Sequence, residues 1–221
     1  MELLSVNVSL PKEVEYEGRA VYTGIFKEPV AGPVQVRFGC LEGDGQADLE
    51  NHGGQFKTVY AYPYEHYAHW EGILKRGPLP HGQLGENLTV EGMLEDQIHI
   101  GALYRVGTSL LQVTQPRKPC FKLGIRVGMT KVVAIFWNSG RTGIYLRVVE
   151  EGVLQAGDSI ALIEDAPENP TVRRLWQLAY FEEACFEECL LALRLPHLSP
   201  EWRHPLTQRL RKAGISIAEG R

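Results

Sequence analysis

Up to about Glu164, apolar and polar residues alternate in short runs broken by glycine. Leu4 to Leu10 alternates in this way, as does Val34-Gln35-Val36-Arg37-Phe38, and Thr58 to Tyr62, Asn87 to Val90, Leu110 to Thr114, Ile144 to Val149 and Ser159 to Ile163 are further runs of strand length. A period of two marks a strand with one buried face. Many such strands at modest spacing predict a barrel or sandwich. Glu150 to Asp158 carries Gly152 and Gly157 around a small polar connection, which predicts a hairpin-type return.

After Pro170 the period lengthens. Val172, Leu175, Trp176 and Ala179 recur at helical spacing across Thr171 to Tyr180, with Asn169 and Thr171 as candidate caps and Pro170 suited to a helix start. Phe181 to Leu195 sets Cys185, Cys189, Leu190 and Leu193 along one side and paired glutamates on the other. A third helix is predicted from Ser199, with Pro200 in the first turn and Trp202, Leu206 and Leu210 every four residues. Pro205 falls inside it and should kink it or delay its start. The fold class is therefore mainly β with α: a β domain over 1–166 and a small helical bundle over 167–221.

Composition narrows the class. A chain of 221 residues with 44% hydrophobic residues has ample material for a core. No apolar run is long enough to span a bilayer, and the start MELLSVNVSLPKE lacks the basic-then-apolar plan of a secretory signal, so a cytoplasmic protein is expected, with no membrane partner. The four cysteines show no CxxC spacing and need no disulfide in a reducing compartment.

The net charge of −4 hides an asymmetry. Between Gln97 and Val149 there is no Asp or Glu, while Arg105, Arg117, Lys118, Lys122, Arg126, Lys131, Arg141 and Arg147 contribute eight positive charges. Such a run is either a solvated basic face or a positive concavity for an anionic ligand. These residues are spread through strand-like sequence with no arm, finger or helix-turn-helix pattern, so a nucleic acid polymer is not the expected partner.

Two stretches carry residues ill suited to core packing: GDGQADLENHGG, from Gly43 to Gly54, and QPRKPC, from Gln115 to Cys120. Cys120 follows Arg117, Lys118 and Pro119. Neighbouring cations favour thiolate, the form that acts as nucleophile or metal ligand, and Pro116 and Pro119 restrict the backbone around it. The alternative is a buried structural cysteine. In the first stretch Gly43, Gly45, Gly53 and Gly54 free the backbone to bring amides near an anion. Asp44, Asp48, Glu50 and His52 add acceptors and a titratable imidazole, in a spacing that matches no standard zinc or calcium pattern. Lys57, just downstream, is a candidate phosphate contact, and strand alternation puts it on the face opposite Tyr60 and Tyr62.

Taken in order, LEGDGQAD, HGG, KTVYAYPYEHY, GENL, QPRKPC and EGVLQAGD resemble the MOSC domain, the family named after the C-terminal domain of molybdenum cofactor sulfurase, and most closely its YiiM-like members, whose three-helix extension matches the tail. The resemblance implies a MOSC-type β-barrel that binds the molybdenum cofactor, a molybdenum-pterin dithiolene bearing a phosphate. It makes Cys120 a protein thiolate on molybdenum, and soft thiolates suit such a metal. Lys57, Arg117 and Arg126 become candidates for the phosphate and pterin. Gly53 and Gly54 form part of the pocket wall, and His52, Asn87 and Asp48 line or brace its mouth, His52 being the proton donor by type.

The activity so implied is reductive removal of oxygen from small N-hydroxylated substrates such as hydroxylaminopurines. The chain has neither a GxGxxG turn between strand and helix nor a cysteine set for an iron–sulfur cluster, so electrons are expected from a separate donor protein. Two alternatives use the same residues: a sulfur carrier working through a Cys120 persulfide, and a non-catalytic protein that stores or transfers the cofactor. Pyridoxal phosphate enters this family through fused desulfurase domains, which this chain is too short to include, and no Schiff-base lysine is assigned.

Overall fold

The computed structural model of the chain describes residues 1–48, 54–181, 185–196 and 198–215. Its elements are β1 (Glu2–Val8), β2 (Lys12–Tyr16), β3 (Arg19–Thr23), β4 (Glu28–Pro29), β5 (Val34–Val36), β6 (Val59–Pro63), α1 (Tyr67–Leu74), β7 (Leu88–Glu91), β8 (Leu103–Val106), β9 (Ser109–Pro116), α2 (Phe121–Val127), α3 (Val132–Ser139), β10 (Ile144–Glu150), β11 (Gly152–Leu154), β12 (Ile160–Glu164), α4 (Val172–Tyr180), α5 (Phe186–Leu193) and α6 (Pro200–Lys212). Each of the seven strands read from alternation has a counterpart here. The β2–β3 hairpin, β8 and the helices α1 to α3 were not read; the helices are buried by partners distant in sequence, whereas β2 and β3 form a local, largely exposed hairpin.

Among the described residues, eight strands form one sheet in the order β12-β8-β9-β10-β6-β7-β1-β4. Its pairs are antiparallel except β6 and β7, whose parallel run is joined through α1. The sheet curls round on itself as the predicted barrel requires. Glu2 bridges Ser159, Leu3 N donates to the Asp158 carbonyl at 2.9 Å, Gly157 N to Leu3 O at 2.8 Å and Ile160 N to Met1 O at 3.0 Å, so the start of β1 meets the approach to β12. The predicted return over Glu150 to Asp158 needs correction. β10 pairs with β9 and β6 whereas β12 pairs with β8, and the intervening segment supplies β11, which pairs with β5.

The inward residues Leu3, Val6, Val59, Ala61, Leu88, Val90, Leu111, Val113, Ile144 and Leu146 fill the barrel, each at 2% exposure or less. A second apolar cluster joins α1, α2 and α3 to the sheet through Tyr62, Tyr67, Trp70, Leu123, Val127 and Phe136, with Trp70 stacked on Phe136 at 5.3 Å. This cluster fixes the helix that begins immediately after Cys120.

The C-terminal helices share the barrel's core: Val172, Leu175, Trp176, Trp202, Leu206 and Leu210 belong to the same buried cluster as the strands. Backbone bonds reinforce the join, from Ile100 N to Pro170 O (3.0 Å), Val172 N to Ile98 O (2.9 Å) and Arg173 N to Glu95 O (2.8 Å). Of the two candidate caps Thr171 is the one used: its hydroxyl accepts from Arg174 N at 3.1 Å, while Asn169 donates to the Ile100 carbonyl. Thr171→Ala should cost about 1 kcal/mol, read as a lower urea midpoint; an unchanged midpoint would show that the cap adds nothing. The expected helix over Phe181–Leu195 is shorter, beginning at Phe186 after Cys185, with 182–184 outside the described residues. The delayed start expected from Pro205 is not found. α6 begins at Pro200 and runs through Pro205 to Lys212, because a proline one turn in removes only the bond to the carbonyl four residues back while Trp202, Leu206 and Leu210 anchor the helix in the core.

Candidate functional site

The sheet register builds the site. Tyr145 in β10 pairs with Tyr60 in β6 on one side and Gln115 in β9 on the other, so three residues far apart in sequence stand in a row. β9 then runs out through Arg117 to Cys120, which is the N-cap residue of α2. Beside this row the chain forms an open cleft, lined from one side by Thr23 to Ile25, Lys27 and Asp44 to Asp48, and from the other by Lys57, Tyr60, Gly85, Asn87, Arg117, Cys120, Lys122 and Tyr145.

Cys120 is half-buried at this cleft. Behind it lies Arg117, 6% exposed, donating to the Leu84 carbonyl at 2.5 Å with its guanidinium 4.6 Å from the Tyr60 ring centre and 5.8 Å from that of Phe136. Burial opposes its charge, but Tyr60, Tyr145 and Cys120 more than compensate and hold its pKa above the ordinary arginine value. The Tyr60 hydroxyl donates to Thr142 O at 2.8 Å, and burial keeps this phenol protonated. Burial likewise pushes Tyr145 up to about 12, against the pull of Arg117.

A second charged layer joins Asp44 and Asn87, both named from the sequence, to Lys27, which was not. Lys27 is buried and pairs with Asp44, whose carboxylate also accepts from Ser9 N and Asn87 Nδ2, both at 2.9 Å. Desolvation lowers the lysine pKa despite that partner. Asn87 has both amide hydrogens committed, to Asp44 and to Asn7 O at 3.3 Å, while its oxygen accepts from Tyr60 N at 3.1 Å. Its place is that of a brace. Fully buried Glu86 pins the turn before β7, accepting from Gly82 N (2.8 Å), Leu84 N (3.0 Å), Thr89 Oγ1 (3.0 Å) and Tyr67 Oη.

Glycines let these layers approach. A Cβ on Gly24 would stand 2.5 Å from the Gly45 carbonyl oxygen, and one on Gly45 would stand 2.7 Å from Pro11 Cδ, so both positions exclude a side chain.

Of the residues selected from sequence, Cys120, Asp48, Lys57, Asn87 and Arg117 are brought to one cleft. Gly54 and Arg126 are not among its lining. Arg126 instead ties two loops together, donating to Lys27 O at 2.9 Å and Gly82 O at 3.4 Å beneath the Phe26 ring. His52 and Gly53 lie outside the described residues. The alternation argument for Lys57 is also corrected: the residue belongs to a 3-10 turn before β6, so the strand period does not apply, and it lines the same cleft as Tyr60.

The acid-free interval gives only part of the positive wall. Arg117 and Lys122 come from it, Lys27 and Lys57 do not, and Arg105 is engaged elsewhere by Glu150 at 2.6 Å. Lys27 and Glu201 carried no local signal. Glu86 lay within the GENL segment, but its four-fold acceptance depends on the turn it folds into.

α6 reaches this wall. Glu201 meets Lys57 Nζ at 2.5 Å and Lys118 Nζ at 3.6 Å, and Lys118 lies 5.3 and 5.5 Å from the Tyr180 and Trp202 ring centres. Burial raises the Glu201 pKa, yet the two lysines outweigh it and hold the carboxyl below the ordinary glutamate value. Among the described residues no three His, Cys, Asp or Glu side chains gather as a cage for a bare metal ion, and no helix is long and apolar enough to cross a membrane.

Residues 48–161 match the MOSC domain and residues 170–213 match the YiiM-like, 3-alpha helix domain. The chain is 39% identical to YflK of Bacillus subtilis (strain 168) over 91% of its length and 90% of that protein's. It is 34% identical to a Gibberella moniliformis protein named Reductase, over 66% of this chain but 27% of that one. The crystal structure of YiiM from Geobacillus stearothermophilus superposes with a TM-score of 0.79 at 33% identity, covering 95% of this chain and 98% of the other.

Proposed function

The chain belongs to the MOSC domain family and carries the YiiM-like three-helix domain, and from that premise we propose that it holds a molybdenum cofactor through Cys120 and reduces N-hydroxylated bases of the hydroxylaminopurine type. The observation that carries this reading is the convergence of a half-buried thiol with Lys27, Lys57, Arg117 and Lys122 on one cleft. A thiol suits a soft metal, and four cations suit a phosphate-bearing pterin.

When bound, the cofactor would supply the two-electron chemistry that removes oxygen from nitrogen. The protein's part is positioning. Cys120 gives one sulfur donor at the N-terminal edge of α2, and the Arg117 charge behind it favours thiolate. Lys57 and Lys122, which line the cleft, would hold the cofactor's anionic end, with Lys27 held in place by Asp44. The phenols of Tyr60 and Tyr145 keep their protons at neutral pH, so they add no negative charge to the wall. Electrons would come from a separate protein. The relative named Reductase supports the class of activity, with this chain spanning 27% of it.

The test is direct. Protein purified from a host that makes the cofactor should contain molybdenum and pterin near one per chain, and with reduced viologen as donor it should convert a hydroxylaminopurine to the aminopurine. Loaded protein inactive on several N-hydroxylated substrates would defeat the reductase reading and leave cofactor storage.

A further inference from the structure

Lys57 has two demands on it. It lines the cleft, where the proposed function gives it a phosphate, and its ammonium is already held by Glu201, a residue of the helical domain. The carboxylate is well placed as an anion in its own right. It sits 2.5 Å from Lys57 and 3.6 Å from Lys118, with Gln115 Nε2 at 3.5 Å, long for a hydrogen bond. Gln115 is 1% exposed and its Oε1 has no partner, and Lys118 is backed by the Tyr180 and Trp202 rings. Two cations and a buried amide thus surround one carboxylate carried on the first turn of α6.

We propose that Glu201 is the selectivity residue of an anion subsite formed by Lys57, Lys118 and Gln115: it occupies the subsite as an internal monoanion and yields it to a phosphate. A monoanion from solution gains little by replacing a tethered carboxylate of equal charge. A phosphate dianion brings more charge and a third acceptor oxygen, so it can take both lysines from the glutamate. Binding is reciprocal, so an anion that displaces Glu201 must also loosen the first turn of α6 against the barrel. The helical domain is by this route coupled to the state of the cleft.

The inference deepens the cofactor reading, but inorganic phosphate alone tests it, with no molybdenum present. Titrating phosphate into the wild-type chain and into Glu201→Gln at constant ionic strength should show affinity rising about tenfold in the variant, the size expected when one charge-assisted contact no longer competes. Acetate, which the wild type should reject, should then bind the variant. Equal or weaker phosphate affinity in a variant with native circular dichroism would overturn the proposal. So would binding of phosphate by neither protein, while metal analysis would still judge the cofactor reading separately. Should the variant not fold, the wild type decides: phosphate must speed amide hydrogen exchange at Arg203, whose amide bonds to the Ser199 carbonyl in the first turn of α6, and unchanged or slower exchange there overturns the coupling.

Discussion

Cys120→Ser should give a folded protein that purifies without molybdenum and has no reductase activity. Serine keeps the size of the side chain but replaces a soft sulfur donor by a hard, protonated oxygen. Because Cys120 is only half-buried, the fold should barely register the change, within about 0.5 kcal/mol. Cys40→Ser is the control. Cys40 does not line the cleft, so its metal content should match the wild type. Metal analysis and a urea denaturation curve on the same preparations settle the matter, and molybdenum retained in full by Cys120→Ser would remove the ligand assignment.

Glu86→Gln should lower stability by about 1–3 kcal/mol, the cost of leaving a buried hydrogen-bond donor without its acceptor. The carboxylate accepts two backbone amides and two hydroxyls at 0% exposure. An amide in its place turns one accepting oxygen into a donor, which then faces N–H or O–H groups that have nowhere else to bond. The change also removes a negative charge felt by Lys27 and Arg126. Asn87 is the next residue and bonds both Asp44 and Tyr60 N, so the variant should also weaken the proposed cofactor binding. Glu91→Gln, exposed at the end of β7, should shift the urea midpoint by less than about 0.5 kcal/mol. An unshifted midpoint for Glu86→Gln would show that the turn does not depend on its charge.

Much of the fold was legible in one dimension because strands and amphipathic helices declare themselves by period. Seven strands and three C-terminal helices were read this way, and Pro200 and Thr171 marked helix starts through their own backbone and side-chain chemistry. Two of the misses share a cause. β11 pairs with β5 and α1 to α3 pack on an aromatic cluster, and in both cases the partner lies far along the chain. Pro205 breaks a rule of local propensity, and apolar burial of its neighbours outweighs it.

The site divides in the same way. Cys120, framed by prolines and following two cations, was visible from local chemistry, as was the glycine-rich stretch holding Gly45, whereas its close approach to Gly24 was not. Charge counted along the chain identified an acid-free interval, but charge acts through space. The folded cleft takes Arg117 and Lys122 from that interval and adds Lys27 and Lys57 from outside it. Sequence alone determined which groups are chemically able to act: a proline-framed cysteine beside cations, a set of basic residues and the period that builds a barrel. Only the tertiary structure decided which of them meet. Sheet register aligns Gln115, Tyr145 and Tyr60, and packing of α6 carries Glu201 to Lys57 across 144 positions of chain, because contact energies depend on distance in space and the chain's own order records none of it.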